Sequence, residues 1–153
     1  MNPKFQICKF ELQFADECSA LIRCSIQISH QNIYSNEEID SITAQYSSEK
    51  LIVKSSNRKT FMITTEEKRV LAVGSAKGQY IKGIYVDPNH FSEGLGSAML
   101  AFLENQIRQE GHSAAELFAG LNSETFYRHA GYEFVRHHND PNGPAIVMRK
   151  KMT

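Results

Sequence analysis

The segment that most constrains the fold is YIKGIYVDPNHFSEGLGSAMLAFLENQIRQEG, residues 80–111. Its first part reads as a β-strand, and after two glycines the apolar residues recur with the 3.6-residue period of a helix. Gly111 predicts the C-terminal end of that helix. The apolar run AELFAG at 115–120 then predicts a second strand parallel to the first, because strand–helix–strand connections cross over in a right-handed sense. The apolar face of the helix is formed by Leu95, Met99, Phe102, Leu103 and Ile107.

The glycine-rich turn at the start of this helix has two interpretations. Unpaired N–H groups at the positive end of a helix dipole bind anions, most often phosphate. Gly94 and Gly96 would allow a ligand to approach the backbone, and Ser97 adds a hydroxyl donor. Neither GxxxxGK[ST] nor GxGxxG is present. Taken without context, the favoured interpretation of the turn is therefore a tight connection that binds nothing.

The remaining segments predict one domain over residues 1–153, with the order β-α-α-β-β-β-α-β-α-β-β. Ser35 and Glu38 have the spacing of a capping box, which predicts the start of the second helix. That helix is expected to run to about Ser48, with an extension through EKLIVKSSN. The other predicted elements are strands at 5–14, 59–67 and 68–76, helices at 15–29 and 123–131, and two final strands around a turn at 139–143.

Composition and spacing argue against several classes of protein. The 17 basic residues equal the 17 acidic residues in number, so no basic footprint indicates nucleic acid. The apolar runs are shorter than the roughly 18 to 20 residues that cross a membrane, and the first residues lack a signal-peptide core. Three cysteines without CxxC spacing predict no disulfide framework, and the six histidines form no metal-binding pattern. We expect a cytoplasmic protein without a metal ion.

Two blocks resemble the GNAT N-acetyltransferases. GIYVDPNHFSEGLGSAMLAFLENQIRQEG is similar to the acetyl-CoA-binding motif of that family, which runs hydrophobic-x-Val-x-Pro, then [Gln/Arg]-x-x-Gly-x-[Gly/Ala], then an apolar helix. FYRHAGY at 126–132 is similar to its C-terminal F-Y-x-x-x-G-[F/Y] helix. The resemblance covers about residues 70 to 151. It implies the α/β GNAT fold, a mixed, mostly antiparallel sheet of six or seven strands with about four helices on both faces, and acetyl-CoA as acyl donor.

The resemblance also implies roles for residues of the two motifs. The Ile84 amide would bind the acetyl carbonyl, Val86 would pair with the pantetheine arm, and Tyr127 would protonate the departing thiolate. From the residues alone, Tyr127 is as compatible with packing in the core as with a catalytic role in the cleft. Three positions depart from the family pattern: Phe91, Glu93, and Gly120, which has Asn122 two residues later. The cofactor-binding residues expected are Ile84, Val86, Phe91, Ser92, Glu93, Gly94, Leu95, Gly96, Ser97, Asn122 and Tyr127.

The general base and the acceptor are not determined by the sequence. Tyr80 stands where many family members have a glutamate, so Tyr80 and Glu116 are weak candidates for the base, and a water chain ending at a histidine is another. Candidates for the acceptor pocket are Ser25, His30, Tyr34, His137 and His138, although a surface or packing role is favoured for each of them.

The leading hypothesis is direct acetyl transfer from acetyl-CoA to a primary amine of a small molecule or protein. The alternatives are a non-catalytic acyl-CoA-binding sensor or interaction module and a different nucleotide-binding α/β protein. The expected partners are acetyl-CoA and an amine acceptor, not nucleic acid or a membrane. The sequence is also compatible with a homodimer.

Overall fold

The computed structural model describes residues 4–140 and 142–152, and its strands form one sheet. The strands are β1 (Gln6–Lys9), β2 (Lys59–Thr64), β3 (Val70–Lys77), β4 (Tyr80–Val86), β5 (Ala114–Gly120), β6 (Glu133–Asp140) and β7 (Gly143–Lys151). The helices are α1 (Ala15–Ser29), α2 (Asn36–Ala44), α3 (Ser48–Ser55), α4 (Leu95–Gln109) and α5 (Glu124–His129). None of the helices in these described ranges is both long and apolar enough to cross a membrane.

The sheet confirms the predicted fold class. Its order is β1-β2-β3-β4-β5-β7-β6, and every neighbouring pair is antiparallel except β4 with β5. The expected parallel pair therefore lies at the centre of the sheet. The strand predicted at 5–14 is shorter, because residues 12–14 form a 3₁₀ turn. Within the predicted turn at 139–143, Pro141 lies outside the described residues.

Five helices are present in the described part of the chain, rather than about four. The second predicted helix is two helices, since α2 ends at Ala44 and α3 begins after Ser47. The Ser47 hydroxyl caps α3 by accepting from the Lys50 N–H, and the Ser19 hydroxyl donates to the Tyr46 carbonyl at 2.6 Å. These bonds satisfy polar groups at the break, which makes a second helix start stable there. The capping box of Ser35 and Glu38 is confirmed.

The sheet separates two hydrophobic layers. Alternating side chains of β3 point to opposite faces, so Ala72 packs towards α4 while Val73 packs towards α1. At Gly74 a Cβ atom would lie 2.5 Å from Met99 Cγ, which shows how closely α4 packs on β3. One face of the sheet centre is thus filled by α4, and the other carries α1 over β3 and β4.

The parallel strands β4 and β5 separate soon after they begin. They pair only at Tyr80–Glu116 and Ile81–Leu117, whereas β5 pairs with β7 along its whole length. Beyond Ile81, the backbone of β4 has a partner strand on one side only. A gap therefore opens between the carboxyl ends of β4 and β5.

A β-bulge lies where this gap begins. Ile81 pairs with Ala76 and Gly83 pairs with Ser75, so Lys82 is an extra residue in β4. Gly83 has a φ of 151°, and a Cβ atom there would come within 2.8 Å of the Tyr85 ring. Glycine is thus required at position 83, because the Tyr85 ring packs over it. The extra residue of the bulge changes the alternation of side chains between the two faces of β4.

Tyr34 joins three distant segments above the gap. Its hydroxyl donates to the Pro144 carbonyl at 2.6 Å and accepts from the Leu121 N–H at 2.9 Å. A second bond, between Ser41 Oγ and Asn142 Oδ1 at 2.6 Å, connects α2 to the β6–β7 hairpin. The α1–α2 connection, the end of β5 and this hairpin are therefore held together by buried or partly buried hydrogen bonds.

We predict that Tyr34→Phe lowers the free energy of unfolding by about 1–3 kcal/mol, because it leaves the Leu121 N–H and the Pro144 carbonyl without this partner. Urea denaturation measures the change, and hydrogen exchange at Leu121 should accelerate. Tyr80→Phe is the matched control, since Tyr80 is 43% exposed and should change stability by no more than about 0.5 kcal/mol. Equal stability of the two variants would contradict the assigned role of Tyr34.

Candidate functional site

A cavity of about 200 Å³ lies at the open end of the gap between β4 and β5. Here we call it the cleft. It brings together six of the residues expected from the sequence to bind cofactor: Ile84, Val86, Phe91, Gly96, Asn122 and Tyr127. The other lining residues are Tyr85, Ser123 and Phe126, with Ser25, Ser29 and His30 from α1. The motifs that are distant in the sequence therefore face one space.

The N-terminus of α4 borders the cleft and presents unpaired backbone donors. Gly94 is the N-cap residue, in the left-handed conformation with φ of 81°, and no side chain caps the helix. The first bond of the helix runs from the Ala98 N–H to the Gly94 carbonyl. Among the described residues, the N–H groups of 92–97 donate to no other group. This arrangement favours a bound anion, by both hydrogen bonding and the helix dipole.

The structure gives a different reason for glycine at each of the two positions in the turn, 94 and 96. Gly94 has open space around it and requires glycine for its backbone conformation. At Gly96 a Cβ atom would make ordinary contacts, 3.5 Å from Phe126 Cζ and 3.8 Å from Val86 Cγ2. A larger side chain at Gly96 would therefore extend into the space that the cleft leaves open.

The carboxylate of Glu93 has a partner that the sequence analysis did not identify. Glu93 Oε2 lies 3.0 Å from His90 Nδ1, and both residues are partly exposed. This contact draws the carboxylate back towards the preceding 3₁₀ turn, and a protonated histidine would offset its charge. The spacing His-x-x-Glu was the only signal in the sequence. Of the other turn residues, Ser92 and Ser97 are exposed, while Leu95 is buried in the core.

Asn122 explains why residue 120 is glycine. Asn122 Oδ1 lies 2.6 Å from the position that a Cβ atom of Gly120 would occupy, so any side chain there would displace it. This oxygen is buried and has no hydrogen-bond partner among the described residues. A buried acceptor without a donor is uncommon and unfavourable in a folded protein. An N–H group of a ligand in the cleft would satisfy it.

Tyr127 contacts both the core and the cleft. It is 7% exposed, and its ring packs against Phe126 and Tyr132 with centroid distances of 5.0 and 5.7 Å. Its hydroxyl makes no hydrogen bond with the described residues, although Tyr127 lines the cleft. Burial raises the pKa of Tyr127 above the ordinary value of about 10. The phenol thus keeps its proton at neutral pH.

The candidates for the general base lie in different places. Tyr80 and Glu116 face each other at the closed end of the gap, and neither lines the cleft. His30 does line it, next to Ser29 Oγ at 2.9 Å and stacked on Tyr34. Burial, partly offset by the Ile26 carbonyl, lowers the pKa of His30, which favours the neutral ring. Ser25 also lines the cleft, whereas His137 and His138 do not.

Comparison with solved structures shows the same fold in several acetyltransferases. A GCN5-related N-acetyltransferase from Rhodopseudomonas palustris superposes with a TM-score of 0.90 at 19% identity, covering 99% of this chain and 98% of that one. The PaiA N-acetyltransferase from Thermoplasma acidophilum, in complex with coenzyme A, gives 0.80 at 20% identity, with 99% of both chains covered. The ribosomal-protein-S18-alanine N-acetyltransferase from Escherichia coli gives 0.66 at 16% identity, covering 97% and 94%.

Sequence comparison identifies the family directly. No curated protein matches this chain in sequence. A family model described as an acetyltransferase (GNAT) domain, however, matches residues 27–152, which include α4, both motifs and every lining residue of the cleft except Ser25. The chain therefore belongs to the GNAT acetyltransferase family.

Proposed function

We propose that this protein transfers the acetyl group of acetyl-CoA directly to a primary amine. The observation that carries the proposal is the gap between β4 and β5, because it has unpaired backbone donors at its mouth and Tyr127 in its wall. The coenzyme A bound to the Thermoplasma relative supports acetyl-CoA as the donor. The unpaired N–H groups of residues 92–97 and the Oδ1 atom of Asn122 suit the hydrogen-bonding groups of such a ligand.

Each part of the donor has a suitable partner in the cleft. The N–H groups of residues 92–97 would bind the pyrophosphate. The pantetheine arm would lie in the gap, where it can pair with the free side of Val86 and donate an amide N–H to Asn122 Oδ1. The Ile84 N–H would then bind the thioester oxygen. Backbone donors of this kind are already oriented, so they stabilise the charge that develops on that oxygen.

The reaction needs a neutral amine, a polarised carbonyl and a proton for the leaving sulfur. The amine nitrogen attacks the carbonyl carbon, the carbon–sulfur bond breaks, and the sulfur leaves as a thiolate. Tyr127 would supply the proton to that thiolate. Burial raises the pKa of the phenol, and the same apolar surroundings raise the proton affinity of a thiolate formed beside it.

Direct transfer fits the side chains around the cleft. Cys8, Cys18 and Cys24 are unpaired, and none of the three lines the cleft, so no thiol is placed to form an acetyl-cysteine. The proton released by the amine would pass to His30, directly or through water, because His30 lines the cleft and its lowered pKa favours the neutral ring. Tyr80 and Glu116 would need a longer relay from the paired end of the strands.

We predict that Gly96→Val weakens acetyl-CoA binding more than about tenfold, because its side chain would occupy space between Val86 and Phe126. Calorimetric titration of acetyl-CoA measures the change. Ala101→Val, on the exposed face of the same helix, is the matched control and should bind as the parent protein does. Unchanged binding by a folded Gly96→Val protein would exclude the assigned position of the donor.

We predict that Tyr127→Phe lowers kcat about 100-fold and leaves the Kd for acetyl-CoA almost unchanged. In the parent protein the pKa of Tyr127 is raised, so the phenol stays protonated up to at least about pH 10. Deprotonation of Tyr127 should therefore cause no fall in kcat at any pH below that value. Tyr132→Phe is the control, since Tyr132 is buried nearby but donates to Glu104 instead of facing the cleft. Full turnover by Tyr127→Phe would mean that Tyr127 only packs in the core.

Tight acetyl-CoA binding by the parent without turnover of any amine would favour a non-catalytic acyl-CoA-binding module.

A further inference from the structure

Three cationic side chains meet on the α1 face of the sheet, beside the bulge in β4. Lys54 comes from α3, Arg58 from the turn before β2, and Lys82 from the bulge itself, and we call them the basic cluster. They surround a small cavity of about 10 Å³ together with Tyr46 and Tyr85. The Tyr85 hydroxyl donates to the Tyr46 hydroxyl at 2.9 Å.

The charge of the basic cluster is not balanced by a carboxylate, although the ammonium groups of Lys54 and Lys82 lie over the rings of Tyr46 and Tyr80 at 5.4 and 5.5 Å from the centroids. In the part of the chain that the structure describes, no carboxylate forms an ion pair with any of the three side chains. Arg58 Nε is buried and has no hydrogen-bond partner there. A buried guanidinium donor without an acceptor is unfavourable, and a bound anion would provide the acceptor.

Arg58 repels each of the two lysines in the basic cluster. Burial lowers the pKa of Lys54 and of Lys82, and the positive charge of Arg58 lowers both further. Lys50 adds to this effect at Lys54, and Lys77 adds to it at Lys82. Opposite charge placed among these groups would reverse the effect, since it stabilises their protonated forms.

The basic cluster lies next to the site of acetyl transfer. Tyr85 lines both the cleft and the small cavity, and Lys82 is two residues from Ile84. On the other face of the sheet, α4 packs against β3, β4 and β5. Because Ser25, Ser29 and His30 of α1 line the cleft, an acceptor that enters beside α1 would reach the thioester close to the basic cluster. Glu116, on the neighbouring strand β5, pairs with Tyr80, two residues before Lys82, and among the described residues it forms no ion pair with the basic cluster.

We infer that the basic cluster binds an anionic group of the acceptor, so that the substrates are small primary amines carrying a phosphate or carboxylate. This inference rests on the proposed function and specifies its substrate class. The small cavity holds about one water molecule, so the anionic group would lie at its mouth between the two lysine ammonium groups. Arg58 Nε would be reached by an oxygen of that group or by a bridging water. The same charges would repel polyamines.

Binding of amines to the CoA-loaded protein tests the inference in the absence of acetyl transfer. O-phosphoethanolamine, β-alanine, ethanolamine and 1,4-diaminobutane are titrated calorimetrically into protein saturated with CoA, which has no acetyl group to transfer. We expect at least one of the two anionic amines to bind about tenfold or more tighter than ethanolamine, and 1,4-diaminobutane to bind no tighter than ethanolamine. The stronger of the two identifies phosphate or carboxylate as the preferred group. Failure of both anionic amines to exceed ethanolamine, or tighter binding of the diamine, would overturn the inference.

Substitutions then assign the preference to the basic cluster. Lys82→Gln and Lys54→Gln should each reduce the affinity ratio of the preferred anionic amine to ethanolamine about fivefold or more, while Lys82→Arg should retain it. Lys9→Gln makes the same change on an exposed residue of β1, at the edge of the sheet, and should leave the ratio unchanged. A preference that survives in both cluster variants would overturn the inference.

Titration of acetyl-CoA into the same proteins separates the two proposals. Tight binding of acetyl-CoA without any preference for anionic amines would reject the substrate class and keep the proposed function. A parent protein that does not bind acetyl-CoA would reject the proposed function itself. The cluster variants should bind acetyl-CoA as the parent does, because the turn at 92–97 that would bind the pyrophosphate lies beyond the carboxyl end of β4.

Discussion

The separation of β4 from β5 is the constraint on which the rest of the site depends. Backbone N–H and C=O groups in the middle of a sheet normally pair with both neighbouring strands. Here β3 and β7 hold the outer sides of the two strands, while their inner sides pair at only two positions. The polar groups that face the gap are thereby left for a ligand. A ligand with an extended chain and amide groups satisfies them best.

The two faces of the sheet contribute different surroundings to this gap. On one face, α4 fills the core and directs its N-terminal N–H groups towards the mouth of the gap. On the other face, α1 leaves space beside Ser25, Ser29 and His30, and the bonds of Tyr34 hold the β6–β7 hairpin next to it. The donor and the acceptor would therefore approach the same strand, β4, from opposite faces. The bulge at Lys82 changes the direction of the side chains at this point.

Much of the fold could be predicted because it depends on local patterns. The change of period after the turn predicted β4 and α4, and Gly111 and Gly131 both have the positive φ expected after a helix end. The separate helix α3 was missed, because the bond from Ser19 to the Tyr46 carbonyl joins residues 27 positions apart. Burial of Glu104 was missed for the same kind of reason. Its partners, Tyr132 and Lys150, come from distant segments.

The sequence by itself determined the order of the elements, the glycine turn and the family, since these depend on residue types at fixed spacings along the chain. Only the tertiary structure decided that Asn122 occupies the space above Gly120, that His90 contacts Glu93, and that His30 rather than Glu116 lines the cleft. It also brought Lys54, Arg58 and Lys82 together from three separate segments. The physical reason is that hydrogen bonds, burial and charge repulsion depend on distances in space, which packing sets and spacing along the chain does not.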